Sequence, residues 1–150
     1  MGKEFAEPAV KGRDKTEMYR KGISQKEATA ILTGLLGADN QTMLRNIRSG
    51  EEVRLSKSSI GKLLSNAAVA KSMNNGFTRE QHYAVASDID NLFANSVKVL
   101  IQPDKYGNPD VIAMHRFSVH IFGNNTAYIT VKETKEQGKR MYSVELIEMG

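Results

Sequence analysis

The hydrophobic pattern of the chain changes its period at Ser96. Upstream of it, His82, Val85, Ile89 and Phe93 recur at helical spacing, whereas downstream of it apolar and polar residues alternate as they do in strands. Short strands with short connections pair with their sequence neighbours as an antiparallel meander. The pattern therefore predicts an α+β domain, with N-terminal helices packed on one face of a four-stranded antiparallel β-meander.

The composition fits one globular domain and excludes several kinds of site. The chain has 150 residues, of which 40% are apolar and 25% charged, with a net charge of +4 and a pI of about 9.3. Without cysteine it can form neither a disulfide nor a thiolate metal site. It has no apolar run near ~20 residues and no apolar signal-peptide core. We therefore expect a cytoplasmic protein, bacterial or phage-delivered, that makes no contact with a membrane.

Motifs for cofactors and metals are missing from the sequence. There is no GxGxxG, no P-loop lysine and no GxSxG, so nucleotide binding and serine hydrolysis lack support. The three histidines are scattered, and no two of them have the i, i+4 spacing that holds a metal on a helix. We expect no cofactor and no metal.

The first ordered element is predicted to begin near Ser24. Residues 1–22 mix both charges with proline and glycine and show no period, so they are predicted to be a linker or a loosely ordered segment before a domain over residues 23–150. Ser24 and Glu27 form an S-x-x-E capping box, and Gly37 is the expected stop of the helix that follows.

The rest of the helical half contains shorter elements. The pattern predicts a helix through Met43, Leu44 and Ile47, a strand over residues 51–56, and a helix capped by Ser58 or Ser59 that continues toward Lys71 and Ser72. Thr78 and Gln81 form a second capping box. It begins the helix that carries the apolar stripe from His82 to Phe93.

The strands can be aligned so that they bury one common face. They are predicted over residues 97–102, 111–122, 126–133 and 140–148. Pairing Ile121 with Ala127, and Phe117 with Val131, leaves residues 123–125 as a three-residue hairpin loop. On the last strand the apolar face is continued by Tyr142, Val144 and Leu146.

The opposite face of this sheet is polar, and we call it the open face. It is predicted to carry Arg116, Lys132, Ser118, Thr130, Ser143, His120, Tyr128 and Glu145. Strand spacing places these side chains within a patch on the order of 10 by 14 Å.

Such a patch has the groups that cleave a phosphodiester through a 2′-hydroxyl. His120 or Glu145 could take the proton of the 2′-hydroxyl, and His120, where it is not the base, could protonate the leaving oxygen. The two cations would stabilise charge on the phosphorane, while Thr130 or Ser143 positions the phosphate. The alternative is a merely solvated surface, because the outer face of an antiparallel sheet is expected to be polar.

The remaining candidates have structural explanations of their own. His82 stands in the first turn of its helix, where the dipole lowers its pKa, and it could be a core residue or reach the edge of a cleft. His115 falls on the apolar face, which is typical of a packed, hydrogen-bonded histidine. Lys71 near the end of a helix is favourable to the dipole.

Four segments of the chain, taken together, resemble a known family. They are LSKSSIGKLLSNAAVAKSMNNGFTREQHYAVASDIDNLFANS, IAMHRF, AYITVKE and MYSVEL. They are similar to an associated domain of the large polyvalent proteins of phages and conjugative elements, of the barnase–EndoU–colicin–RelE ribonuclease type. The resemblance covers roughly residues 24–148. It implies helices packed on a four-stranded antiparallel sheet whose open face binds RNA.

The resemblance also implies roles for individual residues. The positions that match are His120, Thr130, Lys132, Arg116 and Ser143, with His82 and Lys71 from the helical half. We assign catalysis to His120, Thr130, Lys132, Arg116 and His82, and RNA binding to Lys71 and Ser143 together with Ser118 and Tyr128 of the open face. A bulge in the strand over residues 111–122 would return His115 to the polar face, so the choice among the histidines stays open.

We therefore expect a metal-independent endoribonuclease, a toxin or effector module that leaves a 2′,3′-cyclic phosphate. Its partners would be RNA and a cognate immunity or antitoxin protein, and the sequence leaves the oligomeric state open. The alternatives are a non-catalytic nucleic-acid-binding module and a protein-interaction module of a phage or mobile-element polyprotein. These would tolerate loss of His120, whereas a ribonuclease would not.

Overall fold

The computed structural model describes residues 15–150. The helices in this range are α1 (residues 15–21), α2 (Gln25–Gly34), α3 (Lys57–Leu63), α4 (Asn66–Asn74), α5 (Arg79–Ser87) and α6 (Ile89–Ala94). The strands are β1 (Gln41–Arg45), β2 (Glu52–Ser56), β3 (Val97–Gln102), β4 (Val111–His120), β5 (Thr126–Glu136) and β6 (Lys139–Met149). In this range no helix is both long enough and apolar enough to cross a bilayer.

The protein is an α+β domain built on a six-stranded mixed sheet, rather than on the four strands predicted. The strand order is β1-β2-β6-β5-β4-β3. The predicted meander is present as β3 to β6, in which every neighbouring pair is antiparallel. The β1–β2 hairpin extends it, and β2 joins β6 in parallel through the single pair Arg54 and Ser143.

The helix predicted through Met43, Leu44 and Ile47 is wrong, because these residues belong to β1 and the turn after it. Leu44 is buried opposite Val53, while Met43 and Ile47 are exposed. Apolar residues at positions 43, 44 and 47 fit the period of a strand as well as that of a helix. The backbone pairing with β2 makes this segment a strand.

The helix caps are local signals, and most of them are where the sequence predicts. The Ser24 side chain accepts a hydrogen bond from the Glu27 N–H, and Thr78 and Gln81 form both bonds of a capping box. The predicted cap at Ser58 or Ser59 is wrong, since Ser56 accepts from the Ser59 N–H.

Two of the predicted helices are broken, and one ends early. The helix beginning near residue 57 ends at Leu63, and Ser65 caps α4 separately. The helix that carries His82 is interrupted at Asp88. The first helix ends at Gly34, before the predicted stop at Gly37.

The predicted faces of β4 and β5 are confirmed, although the predicted pairing is shifted. Val119 pairs with Ala127 and Phe117 with Ile129, two residues away from the predicted register. A shift of two residues keeps every side chain on its face. The hairpin loop between the paired residues His120 and Thr126 is therefore residues 121–125 and not 123–125.

A bulge in β6 changes the end of that strand. The register shifts opposite Thr130 and Val131, which leaves Glu145 as an extra residue. Ile147 and Met149 are consequently buried on the helix-covered face, and Leu146 is paired with Thr130 on the open face.

The turn after β1 ties the hairpin to the far side of the sheet. The buried Asn46 donates from Nδ2 to the carbonyl oxygens of Phe93 (2.8 Å) and Ser96 (2.9 Å), and Ile47 N–H donates to Ala94 O (2.9 Å). These contacts fix the β1–β2 turn against the junction of α6 and β3. The sheet is thus curved around a core in which the Phe93 and Phe117 rings meet edge to face at 4.9 Å.

Part of the segment predicted to be a linker is helical, and residues 1–14 of it lie outside the described range. Tyr19 of α1 is buried, and its hydroxyl donates to Asp88 Oδ2. Lys15 Nζ lies 3.2 Å from Asp88 Oδ1. Burial, together with the Asp88 carboxylate, raises the pKa of Tyr19, so the phenol stays protonated and anchors α1 at the junction of α5 and α6.

Removing this phenol should loosen α1. In Tyr19→Phe the buried Asp88 loses one of its donors and keeps those of Lys15 and Asn91, so we expect the free energy of unfolding to fall by about 1–3 kcal/mol. Urea unfolding followed by circular dichroism measures this. Tyr106→Phe removes a hydroxyl from a ring that is 82% exposed and should leave stability unchanged. Equal effects in the two variants would contradict the anchoring role.

Candidate functional site

The open face brings most of the predicted site residues together on the three central strands. Backbone pairing places Ser118 beside Tyr128, Arg116 beside Thr130, and Lys132 beside Ser143. His120 lies at the end of β4 on the same face, opposite Thr126. His120 is exposed, and the other side chains of this group are half-buried.

Arg116, Tyr128 and Glu148 form a cluster of direct contacts on this face. The Arg116 guanidinium lies 4.3 Å from the centre of the Tyr128 ring, and its Nη1 donates to Glu148 Oε1 at 3.2 Å. Stacking on the ring and pairing with the carboxylate hold the guanidinium in one orientation. A planar, oriented guanidinium is suited to bind a phosphate.

Sequence reasoning placed Glu145 beside Tyr128, and the structure places Glu148 there instead. The bulge in β6 moves Glu145 out of that row, and a bulge leaves no clear mark in an alternating sequence. The only sequence signal for the position of Glu148 is its alternation with Ile147 and Met149. If Met149 points into the core, Glu148 must point to the open face.

Glu145 instead bridges two lysines. Its Oε1 lies 2.9 Å from Lys62 Nζ and 3.4 Å from Lys132 Nζ. Lys62 comes from α3, which packs beside β6. Its contribution to the face could not be read from strand periodicity, because it depends on how the helix docks.

The charges of this face are largely compensated. Arg54, opposite Ser143, pairs with Glu136 at 3.0 Å. The cations Arg54, Lys62, Arg116 and Lys132 thus meet the carboxylates Glu136, Glu145 and Glu148. Four cations against three carboxylates leave a small positive excess, so a polyanion would have to displace or share these ion pairs.

His120 is the exposed titratable ring of this face. Its Nε2 lies 2.6 Å from the carbonyl oxygen of Gly123 in the adjoining hairpin loop. A carbonyl oxygen only accepts, so Nε2 carries a proton, and Nδ1 is the nitrogen that can take up or release one. Gly123 has a φ of +56°, in the left-handed region that glycine adopts readily. This conformation turns the hairpin loop so that the Gly123 carbonyl group faces the His120 ring.

His82 does not lie on the open face. It is 1% exposed, with Nε2 2.9 Å from Leu63 O and Nδ1 2.8 Å from Ser72 Oγ. Ser72 Oγ in turn accepts from Met149 N–H at 3.0 Å. The ring is therefore a neutral core residue that joins α3, α4 and α5 to β6. Lys71, next to Ser72, is exposed in the last turn of α4.

Acidification should destabilise the protein through His82. Burial lowers its pKa below the usual value, so the folded state favours the neutral ring. The stability gained from that ring is present above the unfolded pKa near 6.5 and is lost as the pH falls below it. Unfolding free energies at pH 7.5 and pH 5 should differ more for the native protein than for His82→Gln. An equal pH dependence would exclude His82 as a source.

His115 lies on the helix-covered face, as predicted. The bulge that could have turned it outward is located at Ile112, before His115, and does not change its side. Its Nε2 lies 2.8 Å from Glu133 Oε1, and both side chains are buried. Glu133 Oε2 lies 3.4 Å from Arg140, and within residues 15–150 His115 Nδ1 has no hydrogen-bond partner. The Tyr142 ring packs edge to face on the imidazole at 5.6 Å.

The buried carboxylate of Glu133 and the open-face carboxylate of Glu145 should differ in their contribution to stability. Glu133→Gln changes a buried side chain that contacts His115 and Arg140 and should cost about 1–3 kcal/mol. Glu145→Gln makes the same chemical change on the open face and should cost less than about 1 kcal/mol. Chemical denaturation of both variants provides the comparison. Similar losses would mean that the His115–Glu133 pair is not the structural contact described here.

No metal centre is formed by the described part of the chain, since no three acidic or histidine side chains converge there.

The sequence matches one protein family over most of its length. The model of the large polyvalent protein-associated domain 3 matches residues 20–142. The chain is a member of this family. Comparisons with curated proteins and with solved structures give no significant match. The match confirms the predicted link to polyvalent proteins, and the ribonuclease type stays a prediction.

Proposed function

We propose that this domain binds RNA on its open face and cleaves it without a metal, by attack of a 2′-hydroxyl on the adjacent phosphate. The observation that carries the proposal is the exposed His120, with Nε2 bonded to Gly123, on the same face as an oriented Arg116. A proton-transfer group and a phosphate-binding group at one surface are the minimum that this chemistry needs.

Phosphate binding would use the two cations of the central strands. Arg116 presents a guanidinium stacked on Tyr128, and Lys132 supplies a second positive charge beside Ser143. The Thr130 hydroxyl lies beside Arg116 and next to Lys132 along β5, and the Ser118 hydroxyl lies on the other side of Arg116 along β4. Both hydroxyls are on the same face and can donate to phosphate oxygens. As negative charge develops on the phosphorane oxygens, these donors bind the transition state more strongly than they bind the ground state.

Proton transfer would use His120 and a carboxylate. Glu148 adjoins Tyr128 in the next strand, and an ionised carboxylate can accept the proton of the 2′-hydroxyl. The 2′-oxygen then bonds to phosphorus, the bond to the 5′-oxygen breaks, and Nδ1 of His120 gives that oxygen its proton. The products are a 2′,3′-cyclic phosphate and a free 5′-hydroxyl, and a DNA strand could not react because it lacks the attacking group.

The proposed cellular role follows from the family and the chemistry. An RNA-cleaving domain carried by a polyvalent protein would act as a toxin or effector in a bacterial cytoplasm, with RNA as its substrate and a cognate immunity or antitoxin protein as its partner. Lys71 on α4 would contact phosphates beyond the cleavage site.

The compensated charges of the open face favour a second candidate, a protein-interaction or non-catalytic nucleic-acid-binding module. Each of the four cations listed above is already paired with a carboxylate. A face of paired charges suits a partner that exchanges ion pairs as well as it suits a polyanion.

Digestion of total RNA in the presence of EDTA tests the proposal. The native protein should give discrete fragments ending in 2′,3′-cyclic phosphate. His120→Ala should slow cleavage about 10²–10⁴-fold, as expected for loss of a proton-transfer group. Lys132→Ala should slow it too, whereas Lys26→Ala removes the same charge from the exposed surface of α2 and should not.

Three other outcomes are informative. Intact RNA at a high excess of folded protein would contradict the catalytic proposal. RNA binding without cleavage, weakening with salt in proportion to the phosphates contacted, would support the non-catalytic binding module. Cleavage that survives both His120→Ala and Lys132→Ala would move the active site away from the open face.

A further inference from the structure

The buried pair of His115 and Glu133 leaves two polar atoms without partners. Within residues 15–150, His115 Nδ1 and Glu133 Oε2 are the buried side-chain atoms that make no hydrogen bond. The two residues are 5% and 4% exposed. Buried polar atoms almost always have partners, because an unpaired one costs free energy, and native proteins keep such exceptions chiefly at functional sites. The pair is therefore a candidate site that the chemistry of the open face does not explain.

The hydrogen bond within the pair determines what the two unpaired atoms can do. His115 Nε2 lies 2.8 Å from Glu133 Oε1, and an ionised carboxylate only accepts, so Nε2 carries a proton. Nδ1 of the neutral ring and Oε2 are then both acceptors. Oε1 also keeps a lone pair beside the bond from His115. A ligand of this site must therefore supply hydrogen-bond donors.

Arg140 meets this need only in part. Its Nη1 lies 3.4 Å from Glu133 Oε2, which exceeds the usual limit of about 3.2 Å for an N–H···O bond. The Arg140 side chain is 69% exposed, and an ion pair held from such a solvated position adds little stability. Arg140 therefore approaches the buried carboxylate from the solvent side, and a donor that makes a shorter bond can displace it.

The surroundings of the pair are apolar and partly open. Tyr142 pairs with Glu133 across the sheet, and its ring packs on the His115 imidazole at 5.6 Å. Ile101 pairs with His115, so it lies on the same face, and it is 58% exposed. This part of the helix-covered face is thus open to solvent beside β3. An aromatic ring and an aliphatic side chain border the pair.

We propose that the Glu133 carboxylate, held in place by His115, binds the planar amidinium or guanidinium group of a ligand, which takes the place of Arg140. Two parallel N–H donors match the two carboxylate oxygens, because Oε2 is unpaired and Oε1 has a lone pair left. The ligand must be cationic, since displacement of Arg140 would otherwise leave a buried carboxylate without a countercharge. An ammonium group meets the charge requirement, but it lacks the planar fork. The apolar border favours a cation attached to a flat apolar body.

This site is separate from the proposed ribonuclease surface. His115 and Glu133 lie on the helix-covered face, whereas their neighbours in the same strands, Arg116 and Lys132, lie on the open face. The proposal therefore holds whether or not the open face cleaves RNA.

Nuclear magnetic resonance titration with benzamidine tests the site. The chain has three histidines, so their ring C–H signals can be followed individually. Benzamidine should shift the His115 signals with a Kd on the order of 1 mM, while the signals of His120 on the open face stay in place. Benzylamine carries an ammonium on the same ring and should bind at least about fivefold more weakly. Neutral benzamide should be weaker as well.

Three variants locate the binding. Arg140→Ala removes the competing guanidinium and should tighten benzamidine binding at least about threefold. Lys139→Ala removes one positive charge from the adjacent exposed position and should leave the affinity unchanged. Glu133→Gln keeps the shape of the side chain without its charge and should raise the Kd at least about tenfold. Circular dichroism melting checks that each variant is folded, and the Arg140→Ala result does not depend on the folding of Glu133→Gln.

Two results would overturn the proposal. One is a set of His115 signals that stays unchanged up to about 20 mM benzamidine in both the native protein and Arg140→Ala. The other is equal affinity for benzamidine and benzylamine. Methylguanidine and N-acetylarginine amide then separate two sources of the same group. Tighter binding of N-acetylarginine amide would mean an arginine side chain of a polypeptide, and equal binding would mean a small molecule.

Discussion

The imidazole of His82 bonds at both ring nitrogens, and its partners come from different parts of the fold. One nitrogen meets the end of α3 at Leu63, and the other meets Ser72 of α4, whose hydroxyl also accepts from the last residues of β6. Helices that contact the sheet at separate points are thereby held in one fixed relation. The open face depends on this arrangement, because α3 delivers Lys62 to Glu145 only when it is docked in this position.

The open face combines order with low net charge. Arg116 is held by a ring and a carboxylate, and Lys132 is tied through Glu145 to the helical layer. Ion pairs of this kind contribute little to stability at a solvated surface. Their greater effect is to fix the positions of charged groups in advance of binding, which lowers the ordering penalty when a ligand arrives. The same ion pairs compete with that ligand for the cations. The contacts that orient the cations therefore also lower the affinity of this surface for a ligand.

Local signals of the sequence predicted more of this protein than signals that depend on tertiary contacts. The caps at Ser24 and Thr78 followed from side chains within one turn, and the two faces of the meander followed from alternation. The β1–β2 hairpin did not, because residues 43–47 fit either period and pairing with a distant strand decided their form. Glu148 was missed for a related reason, since one extra residue at Glu145 changes the face of everything beyond it.

The single parallel pair between Arg54 and Ser143 has a consequence for how the chain is made. The two residues are 89 positions apart, so the β1–β2 hairpin leaves the ribosome long before the strand that completes its sheet. Contacts between distant segments form late, because a long loop must close first. Until β6 is synthesised, the hairpin is supported by its own short ladder, by the Asn46 bonds and by its packing against α3 and α6. Nascent chains stalled in this interval would present an unfinished sheet edge to chaperones and proteases.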